Sequence, residues 1–177
     1  MGLAWEVEWE SASLARWDPT PFEIVRKMLE LAQVGSEDIV CDLGCGDARM
    51  LITAVKEFGA RKAVGYEIRQ DLYESSMREI QSQNLQNRVT LIRGDLLNAD
   101  LSEASVITLY LFPSANEILR PKLEREARFA TRIVSHDYPI KTWQKAETDV
   151  CSTATLYLYV TPQAFPSSSS NNNKNDG

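Results

Sequence analysis

Residues 40 to 47 read Val40-Cys41-Asp42-Leu43-Gly44-Cys45-Gly46-Asp47, and this stretch decides the fold. A short apolar segment leads into two glycines, and the apolar spacing beyond them predicts a helix from about Ala48 to Phe58. A strand, a tight glycine loop and a helix in this order are typical of the cofactor-binding unit of a parallel α/β sheet. We therefore predict a nucleotide-cofactor loop here, although a lone Gly-x-Gly before a helix is often only a tight turn.

Acidic residues in the loop indicate which cofactor it takes. A dinucleotide loop follows Gly-x-Gly-x-x-Gly, so that backbone and helix N-terminus can approach a pyrophosphate. Here Arg49 replaces the third glycine, and Asp47 would lie where a phosphate should be, which argues against NAD. S-adenosylmethionine has no phosphate and carries a sulfonium and an ammonium against one carboxylate. We predict that Asp42 and Asp47 face its cationic methionine end.

Two more carboxylates follow the next two predicted strands. The second strand, residues 62–66, leads into Glu67, at the spacing expected for the acid that binds both ribose hydroxyls. The third strand, residues 88–93, is followed by Gly94-Asp95, which places a carboxylate where the adenine amine should lie. Acids after three successive strands favour the cofactor loop over a simple turn.

The composition is that of one soluble domain. The 177 residues are 44% hydrophobic and 25% charged. No apolar run approaches the roughly 20 residues of a membrane span, and the acidic N-terminus is unlike a signal peptide. We therefore expect a cytoplasmic monomer with no membrane anchor.

The cysteine count and the net charge bear on metals and partners. Cys41, Cys45 and Cys151 are an odd number without a secretory signal, which predicts reduced thiols. With one histidine in the chain, we predict no metal site. The net charge of −6 disfavours nucleic acid, whose phosphates are neutralised by Lys and Arg, and is compatible with a basic protein substrate.

Three regions are predicted along the chain. Residues 1–18 form a Trp-rich arm, residues 19–162 the main domain, and residues 163–177 a disordered Ser/Asn-rich tail. Thr20-Pro21-Phe22-Glu23 predicts a capped helix start, as does Ser114-Ala115-Asn116-Glu117. The apolar face of the first of these helices should carry Phe22, Val25, Leu29 and Ala32.

Alternating strands and helices predict a parallel, helix-covered sheet. Later strands are expected at residues 105–110, 132–135 and 155–160. Too few residues separate the last two for a full crossover helix, so that end should be antiparallel.

By these residues the chain resembles the seven-stranded S-adenosylmethionine-dependent methyltransferases, and within them the small archaeal broad-specificity protein lysine methyltransferases. It is also similar to their mitochondrial relatives that methylate a lysine in the c subunit of ATP synthase. The resemblance spans nearly the whole chain before the tail and is carried by Pro19-Thr20-Pro21, residues 42–47, Gly65-Tyr66-Glu67, Gly94-Asp95, Pro121-Lys122-Leu123-Glu124, Val134-Ser135-His136-Asp137, Trp143 and residues 157–160.

The resemblance implies a Rossmann-like seven-stranded sheet, mostly parallel with an antiparallel C-terminal strand. It also implies S-adenosylmethionine as cofactor and methyl transfer to the lysine amine of protein substrates. The predicted donor-binding residues are Thr20, Asp42, Gly44, Cys45, Gly46, Asp47, Glu67, Asp95, Leu96 and Tyr110.

The chain departs from the family pattern at two places. Ala48 stands where a glycine usually precedes the arginine, and Phe129-Ala130-Thr131 replaces a glycine before the fifth strand. Alanine at a helix start is harmless unless the residue needs a positive φ, where it is costly.

The acceptor-facing segment should follow the fourth strand and reads Tyr110-Leu111-Phe112-Pro113. Enzymes that methylate planar amides or base amines usually carry Asn/Asp-Pro-Pro-Tyr/Phe there, so an aromatic channel for an alkyl amine remains open. Tyr110 is our first catalytic candidate, followed by His136 and Asp137 after the fifth strand. Each also has a purely structural interpretation.

Two other functions stay compatible with the sequence. One is a methyltransferase for a small metabolite. The other is a non-catalytic S-adenosylmethionine-binding module, because no catalytic motif is evident and Ala48 could weaken donor binding.

Overall fold

Seven strands form one sheet in the computed structural model, which describes residues 18–166. The strands are β1 (Ile39–Leu43), β2 (Lys62–Glu67), β3 (Val89–Arg93), β4 (Val106–Leu109), β5 (Arg132–His136), β6 (Glu147–Cys151) and β7 (Ala154–Val160). Their order is β3-β2-β1-β4-β5-β7-β6. Neighbours among β1 to β5 run parallel, and β7 is antiparallel to both β5 and β6.

This sheet confirms the predicted fold class. The seventh strand is β6, which no apolar pattern predicts because it lies at the sheet edge and is largely exposed. The predicted arm up to residue 17 and the tail beyond residue 166 lie outside the described residues. The packed chain runs on past Val160, since Ala164 is buried and the Phe165 ring lies 4.9 Å from that of Trp143.

Four helices cover the sheet, together with a 3₁₀ turn at Leu96–Asn98. They are α1 (Phe22–Leu31), α2 (Arg49–Lys56), α3 (Gln70–Ser82) and α4 (Pro113–Glu126). Successive strand residues point to opposite faces. One face packs against α1, α2 and α3, and the other against α4 and Trp143. Among the described residues, no helix has the length and apolarity to cross a membrane.

Both predicted capping boxes are wrong. The residue before α1 is Pro21 and the residue before α4 is Phe112, and neither helix has a side-chain cap. Phe112 precedes Pro113, and a residue before proline is pushed to an extended conformation, so the helix begins at the proline. Ser114 therefore lies inside the first turn.

The predicted apolar face of α1 is right except at Phe22. Val25, Leu29 and Ala32 are buried, whereas the Phe22 side chain is 51% exposed. Its ring lies 5.0 Å from the guanidinium carbon of Arg49, a cation–π contact at the surface.

Both departures from the family's glycines take left-handed backbone conformations. Ala48, which precedes α2, has φ +63°, and Ala130, which precedes β5, has φ +61°. A side chain with a Cβ is strained there by roughly 1–2 kcal/mol. This strain gives a physical reason for glycine at both positions.

We expect Ala48→Gly and Ala130→Gly each to stabilise the domain by about 0.5–1 kcal/mol. The relief of strain exceeds the extra flexibility that glycine gives the unfolded chain, about 0.4–1 kcal/mol. Urea unfolding measures the change. Ala54→Gly in the middle of α2 is the control and should destabilise by about 0.5–1 kcal/mol or more. Destabilisation by all three substitutions would refute the strain argument.

Candidate active site

A cleft opens at the carboxyl ends of β1, β2 and β4, where ligands bind in sheets of this kind. Counting its open mouth, it holds about 970 Å³, enough for a nucleoside-sized ligand. All ten residues predicted to bind the donor line it: Thr20, Asp42, Gly44, Cys45, Gly46, Asp47, Glu67, Asp95, Leu96 and Tyr110. The sequence therefore predicted which side chains the fold brings together.

The glycine loop needs its glycines. Gly44 has φ +89° and Gly46 has φ +55°, both in the left-handed region that glycine adopts without strain. The backbone N–H groups of Gly44 and Cys45 both donate to the carbonyl of Tyr66, each at 3.0 Å. These bonds hold the loop against the end of β2.

Glu67 and Ser76 hold the next peptide of the loop. The Gly46 N–H donates to Glu67 Oε2 at 2.9 Å, and the Ser76 hydroxyl donates to the Gly46 carbonyl at 2.9 Å. Glu67 Oε1 accepts from the Arg69 N–H at 2.8 Å. A carboxylate has about four acceptor positions, so Glu67 can also accept from two ribose hydroxyls. The sequence did not predict the role of Ser76, a buried hydroxyl on the sheet-facing side of α3.

Asp42 is a buried acid beside two other acids. Its Oδ1 accepts from the Thr108 hydroxyl at 2.6 Å. Burial, and then the charges of Glu67 and Asp47, raise the pKa of Asp42 to about 7. A cationic ligand would relieve this penalty, whereas a phosphate would increase it. The site therefore fits the sulfonium and ammonium of S-adenosylmethionine.

We expect donor binding to strengthen as pH rises through about 7. Below this pKa the cation must displace a proton from Asp42, so affinity should be about tenfold weaker at pH 6 than at pH 8. Titration calorimetry in two buffers would detect the released proton. Asp42→Asn should bind the donor more weakly, without this pH dependence. A flat profile for the unmodified protein would contradict the assignment.

The same shift has the opposite effect on the unliganded fold. The folded pKa of Asp42, about 7, lies above its ordinary value of 3.8, so the folded state holds the proton more tightly. The stability contribution is complete below pH 3.8 and is lost as pH rises towards 7. Burial also raises the pKa of Glu67, which adds a contribution of the same sign.

Asp47 is paired within its own loop. The Arg49 Nε donates to Asp47 Oδ1 at 2.9 Å, and the Arg49 Nη1 donates to the Thr20 carbonyl at 2.8 Å. Thr20 therefore meets the loop through its backbone. The sequence did not predict this bridge, although an arginine two residues after the aspartate was a visible signal.

Aromatic rings form the wall beyond β4. The Tyr110 ring stacks on that of His136 with centroids 3.9 Å apart, and Tyr138 follows at 6.4 Å from Tyr110. Phe112, 42% exposed, meets Tyr138 edge-on at 5.8 Å. Tyr110 lines the cleft, whereas His136 lies behind it and is not part of the cleft wall.

His136 and Asp137 are neighbours in space as well as in sequence. His136 is 3% exposed, and burial lowers its pKa, which favours the neutral ring. Its Nδ1 has no hydrogen-bond partner within residues 18–166, and its Nε2 lies 3.5 Å from Asp137 Oδ2. Asp137 Oδ1 accepts from the Thr155 N–H at 2.9 Å, which ties it to β7. Between residues 18 and 166, no group of three His, Cys, Asp or Glu side chains could hold a metal ion.

Comparison with known proteins agrees with this geometry. The family model of the ANTKMT methyltransferase domain matches residues 42–147, more than half of the chain. The chain belongs to the ANTKMT methyltransferase domain family. It is an S-adenosylmethionine-dependent methyltransferase, as the sequence predicted.

Relatives of this ANTKMT-family chain span archaea and animals. A protein-lysine N-methyltransferase of Saccharolobus islandicus is 43% identical over 146 residues, which cover 80% of this chain and 91% of that protein. The adenine nucleotide translocase lysine N-methyltransferase of Mus musculus is 31% identical over 120 residues, or 68% of this chain. That match spans 52% of the mouse protein, about half of its length.

A solved structure shares both fold and sequence. The crystal structure of an RNA methyltransferase from Salinibacter ruber, in complex with S-adenosyl-L-homocysteine, is 39% identical and superposes with a TM-score of 0.81. The match covers 85% of this chain and 98% of that chain. It confirms the predicted sheet and cofactor class.

Proposed function

We propose that this chain methylates the side-chain amine of lysine in protein substrates. The observation that carries the proposal is the 43% identity to a protein-lysine N-methyltransferase over 91% of that protein's length. The mouse relative has a name that specifies lysine too. So does a Xenopus laevis lysine N-methyltransferase named for the C subunit of ATP synthase, which is 29% identical over 105 residues.

The donor would lie along the carboxyl ends of the first three strands. We assign the ribose hydroxyls to Glu67, the cationic methionine end to Asp42, and the adenine amine to Asp95, as predicted. The turn glycines keep side chains away from the donor, and Thr20, Cys45 and Leu96 line the remaining wall. Asp47 would act together with Arg49, whose guanidinium suits the donor's carboxylate.

When bound, S-adenosylmethionine supplies an electrophilic methyl group. The chain's part is to align the acceptor, exclude water and keep the amine uncharged. Lysine has a pKa near 10.4 in water, so it arrives as an ammonium and must lose a proton. The apolar faces of Tyr110 and its neighbours would favour the neutral amine by desolvation. His136 and Asp137 remain candidates to act through Tyr110, because they lie behind its ring.

RNA is the rival acceptor that a specific observation favours. The Salinibacter ruber structure, 39% identical, is described as an RNA methyltransferase. The net charge of −6 argues against RNA, since phosphate binding needs clustered Lys and Arg. Methylation of a small metabolite and donor binding without catalysis are the two further candidate functions. A monomeric state and a cytoplasmic location stay predictions.

The deciding experiment is transfer of a radiolabelled methyl group from S-adenosylmethionine into a host lysate. Samples are split and treated with protease or ribonuclease, and labelled protein is hydrolysed for amino-acid analysis. Label in methyl-lysine supports the proposal. Ribonuclease-sensitive label supports RNA, and label only in small molecules supports a metabolite. Donor binding without transfer would leave the binding module.

A further inference from the structure

We propose that Asp18 selects the acceptor by binding its cationic amine together with the hydroxyl of Tyr110. The inference rests on the proposed lysine acceptor and adds a residue that the sequence pattern did not single out. Asp18 lies in the cleft wall, beside Pro19 and Thr20. Its Oδ2 lies 3.4 Å from the Tyr110 hydroxyl, although 92 residues separate the two in the chain.

This pair forms a polar contact above an apolar surface. Tyr110 presents one face to His136, and Tyr138 extends the aromatic wall. A lysine side chain has the same division, with four methylene groups and a charged tip. Its methylenes would lie along the rings, and its ammonium would meet the Asp18 carboxylate and the Tyr110 oxygen, both of them acceptors.

The electrostatics around Tyr110 favour a cation. Burial, and then the negative charges of Asp18 and Asp137, raise the pKa of Tyr110 to about 12. Tyr138 and His136 are the other titratable groups that face it. Surroundings that oppose a phenolate favour an ammonium at the same place. They also oppose the phosphates of RNA, so Asp18 would discriminate between the two acceptors.

Asp18 can hold the ammonium, but methyl transfer requires the neutral amine. We therefore assign Asp18 to recognition of the incoming acceptor, and the desolvating aromatic wall to its deprotonated form. The expected signature is an effect on KM for the acceptor that exceeds the effect on kcat. Donor affinity should stay unchanged within about twofold, since the acids assigned to the donor belong to other elements.

The test uses the whole chain loaded with S-adenosylhomocysteine, so that no transfer occurs. Binding of n-butylammonium and of neutral n-butanol is followed by NMR. The unmodified protein should prefer the cation at least tenfold, and Asp18→Asn should lose this preference. Glu23→Gln, an exposed acid at the start of α1 with the same charge change, should keep it. An equal preference in Asp18→Asn and in the unmodified protein would overturn the inference.

A kinetic arm separates this inference from the proposed function. With a lysine peptide and S-adenosylmethionine, Asp18→Asn should raise KM about tenfold. If the unmodified protein methylates the peptide and Asp18→Asn has the same KM, the role of Asp18 is refuted and the lysine proposal stands. If only RNA is methylated, the lysine proposal fails, while the binding of n-butylammonium still decides whether Asp18 recognises a cation.

Discussion

Glu67→Ala should weaken binding of S-adenosylmethionine by a factor of about one hundred or more. The ribose hydroxyls would lose two hydrogen bonds to a charged acceptor, each contributing about 1.5–3 kcal/mol. The loop also loses a contact, because Glu67 accepts from the Gly46 N–H at 2.9 Å. Titration calorimetry with S-adenosylmethionine measures the loss of affinity.

The Glu67 variant should remain folded but less stable. A buried N–H left without a partner costs about 1–3 kcal/mol, so thermal unfolding must accompany the binding measurement. Glu67→Gln is informative, since its single amide oxygen can satisfy only one of the N–H groups of Gly46 and Arg69. Glu74→Ala removes an exposed acid from α3 and is the control. Donor affinity within threefold in a folded Glu67→Ala protein would refute the site assignment.

Gly65→Ala should disrupt both the fold and the donor loop. Gly65 lies in β2, and a Cβ there would come 2.5 Å from Leu51 Cδ1 and 2.6 Å from Cys45 Sγ. It would also come 2.9 Å from the Cys45 Cβ, which moves only with the loop backbone. Cys45 and Leu51 are almost completely buried, so there is little space for them to move into.

Overpacking of this kind costs about 1–3 kcal/mol or more, and each kcal/mol lowers the Tm of a domain of this size by about 2–4 °C. We therefore expect a loss of several degrees, measured by circular dichroism, and weaker donor binding because the loop shifts. Gly35→Ala is the control, since a Cβ there would meet nothing within 4 Å. A Gly65→Ala protein with unchanged Tm and donor affinity would show that the loop does not depend on this close approach.

Local patterns predicted most of the fold. Each buried strand of the parallel part is a short apolar run, and its limits agreed with the prediction to within one residue. Helix starts were less predictable, because two prolines displaced the expected caps. The exposed edge strand β6 has no apolar pattern, so periodicity could not reveal it.

The sequence by itself determined the donor side of the cleft. Its acids follow strands that run parallel, and parallel strands bring their carboxyl ends to one edge, so Asp42, Glu67 and Asp95 had to converge. The glycines between the first strand and α2 marked the loop in the same way, since their backbone angles are a local property.

Only the tertiary structure decided the acceptor side and the packing beneath the loop. Asp18 reaches Tyr110, His136 lies behind that ring, and Gly65 admits Cys45. These contacts join segments far apart in the chain, and their distances depend on how the strands align and how the connecting segments return to the sheet. No local pattern encodes such distances, because they arise only when distant elements pack against one another.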